Sequence, residues 1–165
     1  MRDIAVTLFV LVGCVYTLKR PYVGVLLWSW LSYMNPHRLC YGFALNMPFA
    51  QVTAIVLIIS MILSKEKMKF PLNMITSVWI MFIFFMGLTT FFAYFPDDAA
   101  LQFLLVIKVQ IVVFLTMMLV TDMDKLNKLI WVIVLSIGYY SVKGGLFTLL
   151  TGGSYRVWGP GGTFI

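Results

Sequence analysis

The chain has 165 residues, of which 62% are hydrophobic and only 11% are charged. Its mean hydropathy is +0.98, whereas about 25% of the residues of a soluble domain are charged. One soluble core cannot hide this much apolar surface, so the composition predicts an integral membrane protein. The net charge of +6 comes from Lys and Arg at the ends of apolar runs, which argues against nucleic acid as a partner.

Six apolar runs follow one another along the chain and predict an all-α, polytopic membrane helix bundle. They cover residues 4–18, 22–34, 49–63, 73–95, 99–121 and 129–150. The first two are shorter than the roughly 20 residues of a perpendicular span, so they predict thin spans or a re-entrant hairpin. Residues 122–128 predict a short charged connector. No soluble domain is predicted, and residues 1–165 read as one membrane-embedded region.

The start of the fifth run has the composition of a helix N-terminus. Pro96 suits the first helical position, and the carboxylates of Asp97 and Asp98 are expected to cap the helix and offset its dipole.

The distribution of basic residues predicts the orientation of the six runs. If all six span the bilayer, one side collects a lysine-rich set, and the positive-inside rule assigns that side to the cytoplasm. The outward side then carries Arg2, Arg38 and Arg156 with the acidic turn at Asp97. The lysine-rich set is Lys19, Arg20, Lys65, Lys67, Lys69, Lys125 and Lys128.

The two cysteines do not indicate a disulfide framework. Cys14 lies in an apolar run and Cys40 in a polar-aromatic loop, so a bridge would need an awkward approach. Residues 11–14 read LVGC and resemble a lipoprotein cleavage box. The short preceding segment and the apolar residues that follow favour coincidence.

Lys108 lies near the centre of the fifth run, about 15 Å from either interface. An unpaired ammonium at that depth costs at least about 3 kcal/mol. Gln102 and Gln110 belong to the same helix and suggest a polar inner face. Two interpretations stay open: contact with an anionic headgroup or diphosphate in a wet cavity, or a structural hydrogen bond to a neighbouring helix.

Lys143 is the second cation within a run, and it precedes the pair Gly144 and Gly145. Paired glycines suit a kink or a close helix crossing, which would open a pocket around the lysine. Tyr139 lies one turn earlier and shares its face. The alternative is a lysine near the outer interface, with tyrosines of the aromatic belt beside it.

Two outward loops complete the set of candidate residues. His37 is a possible acid or base that titrates near neutral pH, and Arg38 is able to clamp a phosphate. Arg156 lies in a glycine-rich loop whose backbone amides can approach an anion. The loop lacks the spacing of a phosphate-binding P-loop. A single His without ligand partners argues against a metal site, and no nucleophile with an oriented base is visible.

Three segments of the chain carry a family resemblance. They are Met1-Arg2-Asp3-Ile4, residues 20–28 (RPYVGVLLW) with 31–38 (LSYMNPHR), and residues 141–147 (SVKGGLF) with 152–160 (GGSYRVWGP). These segments resemble the amino-terminal, DUF5935-like region of the O-glycosylation ligases associated with the exosortase A system, which are similar to O-antigen ligases and Wzy-type polymerases.

The resemblance implies transfer of a glycan from a polyprenyl diphosphate to an acceptor hydroxyl of a protein or glycan. It implies a multi-pass protein of the bacterial inner membrane that acts at the periplasmic face without a metal or nucleotide cofactor. Arg156, Lys143 and Arg38 match family positions near the donor. Residues 151–165 are typical of a connecting loop, so we expect an amino-terminal part that is inactive alone, with the carboxy-terminal ligase region absent. The competing hypothesis is a non-enzymatic transporter or assembly subunit.

Overall fold

Helices make up all the regular structure of the described residues. The computed structural model describes residues 2–64 and 73–157, and within them it contains no strand, which confirms the all-α prediction. Two short 3₁₀ helices, Pro36–Leu39 and Phe43–Asn46, lie between α2 and α3. The α-helices are α1 (Arg2–Lys19), α2 (Pro21–Met34), α3 (Phe49–Leu63), α4 (Met74–Phe91), α5 (Pro96–Leu119) and α6 (Met123–Leu150).

Three of these helices are long and apolar enough to cross a membrane. They are α4, α5 and α6, with 18, 24 and 28 residues. α3 is a shorter apolar helix of 15 residues, α2 has 14 residues, and the 18 residues of α1 include Arg2, Asp3 and Lys19. Length and composition therefore support three of the six predicted spans.

Two local predictions need correction. The predicted connector at residues 122–128 is helical, because α6 begins at Met123 with Asp122 as its N-cap residue. Pro96, Asp97 and Asp98 do form the first turn of α5, where the carboxylates face the positive end of the helix dipole. Neither carboxylate caps the helix, however, because the N-cap residue is Phe95 and has no side-chain cap bond.

The chain divides into two compact units. The first holds residues 1–65 and 122–165, and the second holds residues 66–121. In the first unit α1, α2 and α3 pack on one another, and α6 packs along α2. Its buried core combines α1, α2 and α3 with the loop after α2, and the core residues are Val10, Cys14, Leu27, Leu31, Cys40, Ala44 and Phe49. Cys14 and Cys40 are both buried there as free thiols.

Small residues bring α1, α2 and α3 close together. A Cβ added to Gly24 would lie 2.5 Å from Cγ2 of Thr17 and 3.0 Å from Cδ1 of Leu57. The buried hydroxyl of Ser60 donates a hydrogen bond from α3 to the backbone carbonyl of Thr17 on α1. Small and hydroxylated side chains of this kind are typical contacts between membrane helices.

Charged and polar contacts gather at the two ends of the first unit. At one end the ammonium groups of Lys125 and Lys128 each lie 5.7 Å from the ring centroid of Tyr22, near the start of α2. At the other end Asp3 accepts the backbone N–H of Gly42. Two residues predicted on the outward side, Arg2 and Arg38, therefore lie in elements that meet at one end of this unit. Three residues predicted on the lysine-rich side, Arg20, Lys125 and Lys128, lie in elements that meet at the other end. Lys65, Lys67 and Lys69 lie outside the described residues.

The second unit consists of α4 packed on α5. Nε1 of Trp79 donates a 3.0 Å hydrogen bond to Oε1 of Gln110. The Trp79 ring also stacks on Phe114, with centroids 5.8 Å apart and an interplanar angle of 8°. Gly87 leaves room for Phe103, whose Cζ would lie 3.2 Å from an added Cβ.

A candidate amphiphile-binding site

The cationic cleft is a cavity of about 490 Å³ in the first unit, between the start of α1, the end of α2 and α6. Two basic residues, Arg2 and Lys143, line it together with the first 3₁₀ helix. Lys143, one of the predicted site residues, is among the residues that line this cavity. The other lining residues are Ala5, Val6, Trp30, Met34, Pro36, Leu39, Cys40 and Tyr139.

The apolar cleft is a second cavity of about 410 Å³ along the same helices. Ser136 and Tyr139 bring the only hydroxyl groups among its lining side chains, and none of those side chains is charged. Trp30, Met34 and Tyr139 line both clefts, so the two cavities share a wall. The remaining lining residues are Phe9, Gly13, Val23, Leu26, Leu27, Val132 and Leu135.

A hydrogen bond between helices fixes the position of Lys143. The hydroxyl of Tyr140 donates to the backbone carbonyl of Met34, which lies at the end of α2. Met34 lines the cationic cleft, and Lys143 follows Tyr140 by three residues, close to one helical turn. The bond therefore sets the height of α6 against α2 and holds Lys143 at the level where α2 ends. The side chain of Lys143 itself is exposed.

The glycine pair after Lys143 does not interrupt α6, and no other described helix lies close against it. α6 continues through Gly144 and Gly145 to Leu150. An added Cβ at Gly145 would meet nothing within 4 Å, whereas one at Gly144 would lie 3.3 Å from Cγ1 of Val157. The returning loop, and not another helix, therefore uses the space that Gly144 leaves.

Arg156 lies in the loop that follows α6, and its side chain is exposed. Gly152 and Gly153 have φ values of 60° and 76°, the left-handed region in which glycine is favoured. They end α6 and reverse the chain, and the reversal brings Val157 against Gly144. Arg156 thus adjoins a residue packed next to the Lys143 segment. Residues 158–165, the remainder of the predicted loop, lie outside the described residues.

His37 and Arg38 lie in the first 3₁₀ helix, but neither is a lining residue of the two clefts. Arg38 is exposed. His37 is half-buried, its ring packs edge-on against Phe49 with centroids 6.0 Å apart, and its buried Nδ1 has no hydrogen-bond partner among the described residues. Burial, followed by the neighbouring Arg38 charge, lowers the pKa of His37. The imidazole therefore favours its neutral form more than a free histidine does, and it does not line the cationic cleft.

Lys108 belongs to the second unit and has an exposed side chain on α5. It does not share a face with Gln110, because residues two apart lie about 200° apart around a helix. Gln110 faces α4 and accepts the hydrogen bond from Trp79. The predicted polar inner face is therefore not formed by these two residues.

Arg2 is the site residue that the sequence prediction missed. The sequence offers Arg2 as a basic residue on the outward side and as part of the first segment that resembles the ligase family. Its place in the cleft follows from the structure, in which the Asp3 carboxylate bonds to the loop after α2 and holds the start of α1 in place. Among residues 2–64 and 73–157, no group of three or more His, Cys, Asp and Glu side chains is placed to hold a metal ion.

Comparison with known proteins gives one match. A family model described as "Family of unknown function (DUF5935)" matches residues 1–159. No curated protein and no solved structure matches this chain. The match covers nearly the whole chain and confirms the DUF5935 part of the predicted resemblance, so the chain belongs to the DUF5935 family, whose function is unknown.

Proposed function

We propose that this chain binds the polyprenyl diphosphate-linked donor of a membrane O-glycosylation ligase or polysaccharide polymerase. The reaction transfers the glycan to an acceptor hydroxyl of a protein or glycan at the periplasmic face of the bacterial inner membrane. One observation carries the proposal: a cleft lined by Arg2 and Lys143 shares a wall with an uncharged, mainly apolar cleft. An anionic amphiphile has the matching distribution of charge and apolar surface.

The cationic cleft suits the diphosphate. Arg2 offers a planar guanidinium that can bind phosphate oxygens in bidentate fashion, and Lys143 adds a compact positive charge. When a glycan leaves the carrier, negative charge builds up on the diphosphate, and fixed cations lower the energy of that state. The Tyr140 bond to Met34 holds the helix segment that carries Lys143, and the Asp3 bond to Gly42 holds the segment that carries Arg2.

The apolar cleft suits the first part of an isoprenoid chain. Ligand cavities are mostly apolar and hold a few placed polar groups. Leu27, Leu135 and the two aromatic residues Trp30 and Tyr139 present such a surface beside the cations. This arrangement favours a lipid-linked donor over a free sugar nucleotide, which has no apolar chain to place there.

The described residues support donor binding more than proton removal from the acceptor. Transfer to a hydroxyl needs a base within hydrogen-bond reach. His37, the candidate base, is half-buried against Phe49 and is not a lining residue of either cleft. We therefore assign this chain the donor-binding role, and Arg156 remains a proposed additional diphosphate ligand from the loop after α6.

The proposal includes six membrane passages. α6 is long enough to span and packs along α2, and α1, α2 and α3 pack on one another, so the proposed bilayer around α6 also surrounds these three helices. The positive-inside rule then places Lys125 and Lys128 in the cytoplasm and the cationic cleft at the periplasmic face.

The test is binding of a photoreactive polyprenyl diphosphate to the full chain in lipid nanodiscs. Lys143→Met and Arg2→Met should each weaken labelling about tenfold, the effect of losing one charge-assisted hydrogen bond. Lys128→Met, at the opposite end of α6, is the matched control and should label like wild type. Equal labelling of the wild type and the three variants would overturn the proposal. So would a result in which inorganic diphosphate and unlabelled polyprenyl diphosphate compete equally well with the photoreactive probe.

A further inference from the structure

We infer that Trp30 and Tyr139 donate hydrogen bonds to the lipid-proximal phosphate of the polyprenyl diphosphate-linked glycan. The second phosphate, which carries the glycan, then belongs to Arg2 and Lys143. This assignment rests on the proposed function and adds two specificity-determining residues to it. It starts from the boundary between the two clefts. Trp30 and Tyr139 line both clefts together with Met34, so aromatic side chains with polar tips stand where the apolar and the cationic surfaces meet.

The lining residues follow the same order on each of the three helices that form the clefts. Residues of the apolar cleft occupy one end of each lining stretch, and residues of the cationic cleft occupy the other end. The two clefts therefore follow one another along the helix axes, and an amphiphile that fills both passes the shared wall on the way. From the apolar to the cationic end the order is Val23, Leu26, Leu27, Trp30 and Met34 on α2, Val132, Leu135, Ser136, Tyr139 and Lys143 on α6, and Gly13, Phe9, Val6, Ala5 and Arg2 on α1.

Trp30 and Tyr139 lie one helical turn before the level of the cations. Trp30 precedes Met34 on α2 by four residues, and Tyr139 precedes Lys143 on α6 by four residues, which is about 6 Å of helix rise in each case. A phosphate attached to a chain in the apolar cleft therefore reaches these two side chains first. The second phosphate of the same head group then stands at the level of Lys143.

The chemistry of the two side chains suits a place between a lipid chain and an anion. Trp and Tyr each combine a large apolar ring with one polar group, and they are common where an apolar region meets a wet one. The rings can pack against the first isoprene units, while Nε1–H of Trp30 and the hydroxyl of Tyr139 can each donate to a phosphate oxygen. Within residues 2–64 and 73–157 neither group makes a hydrogen bond, so neither is committed elsewhere in that part of the chain.

Neighbouring rings hold both side chains in position. The ring centroids of Trp30 and Phe9 lie 4.8 Å apart, with an interplanar angle of 55°. Those of Tyr139 and Tyr140 lie 5.4 Å apart at 79°, and the Tyr140 hydroxyl donates to the carbonyl of Met34. Groups that are held in place before binding lose less conformational freedom when the ligand arrives. The shared wall is therefore a fixed pair of neutral hydrogen-bond donors, next to a cleft that supplies the positive charge.

The experiment compares three ligands with the same isoprenoid chain as competitors of the photoreactive polyprenyl diphosphate, with the full chain in lipid nanodiscs. The ligands are the free alcohol, the monophosphate and the diphosphate. Trp30→Phe and Tyr139→Phe keep an aromatic ring and remove the hydrogen-bond donor. Each variant should bind the monophosphate and the diphosphate about tenfold more weakly, the effect of losing one hydrogen bond to a charged group. Binding of the alcohol should stay unchanged.

The cationic variants should give a different pattern. Arg2→Met and Lys143→Met should each weaken binding of the diphosphate about tenfold and leave binding of the monophosphate unchanged, because they contact the second phosphate. The matched controls are Trp131→Phe and Tyr16→Phe, the same two changes at side chains that are 61% and 59% exposed and line neither cleft. Both controls should bind all three ligands like wild type.

Three results for Trp30→Phe or Tyr139→Phe would overturn the inference. Wild-type binding would show that the removed donor has no role, weaker binding of the diphosphate alone would place it at the second phosphate, and weaker binding of the alcohol would assign the effect to the ring. Equal weakening of monophosphate and diphosphate by Lys143→Met would also overturn it. All these results leave the proposed function standing, whereas a wild-type protein that the photoreactive diphosphate does not label would overturn both.

Discussion

The carboxylate of Asp3 accepts a 2.9 Å hydrogen bond from the backbone N–H of Gly42, 39 residues away in sequence. The same oxygen accepts the N–H of Ala44 at 3.3 Å. These bonds tie the start of α1 to the loop after α2. Arg2 and Cys40, which stand next to the tied segments, both line the cationic cleft, so the Asp3 contact shapes one wall of the candidate site.

Asp3→Ala should lower the free energy of unfolding by about 1 kcal/mol, because two backbone N–H groups lose their acceptor. Asp3→Asn keeps an acceptor oxygen and should cost less. Thermal unfolding of the protein in detergent measures both changes. Gly42→Ala provides a check from the other side, since its Cβ would lie 2.8 Å from Oδ1 of Asp3. Identical stability of Asp3→Ala and wild type would show that the bond contributes nothing.

Two glycine substitutions should have opposite outcomes. Gly24→Ala should destabilise the protein by about 1 to 3 kcal/mol, because the new methyl group overlaps Thr17 across the α1–α2 contact. Gly138→Ala on α6 meets nothing within 4 Å and should leave stability unchanged or raise it by up to about 1 kcal/mol. Chemical denaturation of the two variants measures the change in the free energy of unfolding that each substitution causes. Equal effects would contradict the helix contact described at Gly24.

The stability of the protein should fall as the pH drops below 6.5, the ordinary pKa of histidine. Burial and then Arg38 lower the pKa of His37 in the folded state, so the unfolded chain binds the proton more readily. The stabilisation from neutral His37 is complete above its pKa in the unfolded chain. It is lost as the pH falls through the lower pKa that His37 has in the folded protein. His37→Gln should remove this part of the pH profile. Because the chain has one histidine, a single imidazole resonance followed by NMR titration reports its pKa directly.

Trp79 and Gln110 should show a favourable coupling in a double-mutant cycle. Their hydrogen bond joins α4 to α5, and such bonds between membrane helices are worth about 0.6 to 1.7 kcal/mol. Trp79→Phe and Gln110→Leu should each destabilise the protein, and the double variant should cost less than the sum. Unfolding in mixed micelles measures the four members of the cycle. If the two single substitutions have additive effects on the free energy of unfolding, the hydrogen bond between Trp79 and Gln110 does not contribute to stability.

Apolar runs predicted the helices well where a break in composition coincides with a helix end. α3 has the predicted bounds because Pro48 precedes it and a polar stretch follows Leu63. The start of α6 was predicted too late, since the charged residues 123–128 form a solvated first turn and a half that hydropathy does not detect. The two 3₁₀ helices after α2 carry no periodic signal, and in the second of them the backbone N–H of Ala44 donates to the carboxylate of Asp3.

The candidate site could be predicted only in part. Lys143 stands out in the sequence because it interrupts an apolar run, and it lines the cationic cleft. Arg2 carries no such contrast at the start of the chain, and its place in the cleft depends on how α1 packs against the loop after α2. The apolar cleft was missed for a related reason, since its walls come from three helices whose individual faces are ordinary leucine and aromatic surfaces.

In the proposed six-span arrangement, the lengths of α2 and α6 have a consequence for the surrounding membrane. α6 has 28 residues and α2 has 14, or about 42 Å against 21 Å of helix, and α6 runs on for ten residues beyond Tyr140, which bonds to the end of α2. A hydrocarbon layer of about 30 Å exceeds the length of α2. Hydrophobic mismatch of this size is relieved by local thinning of the lipid. We expect a depression in the bilayer over α2, through which water and lipid headgroups reach Lys143 below the general level of the membrane surface.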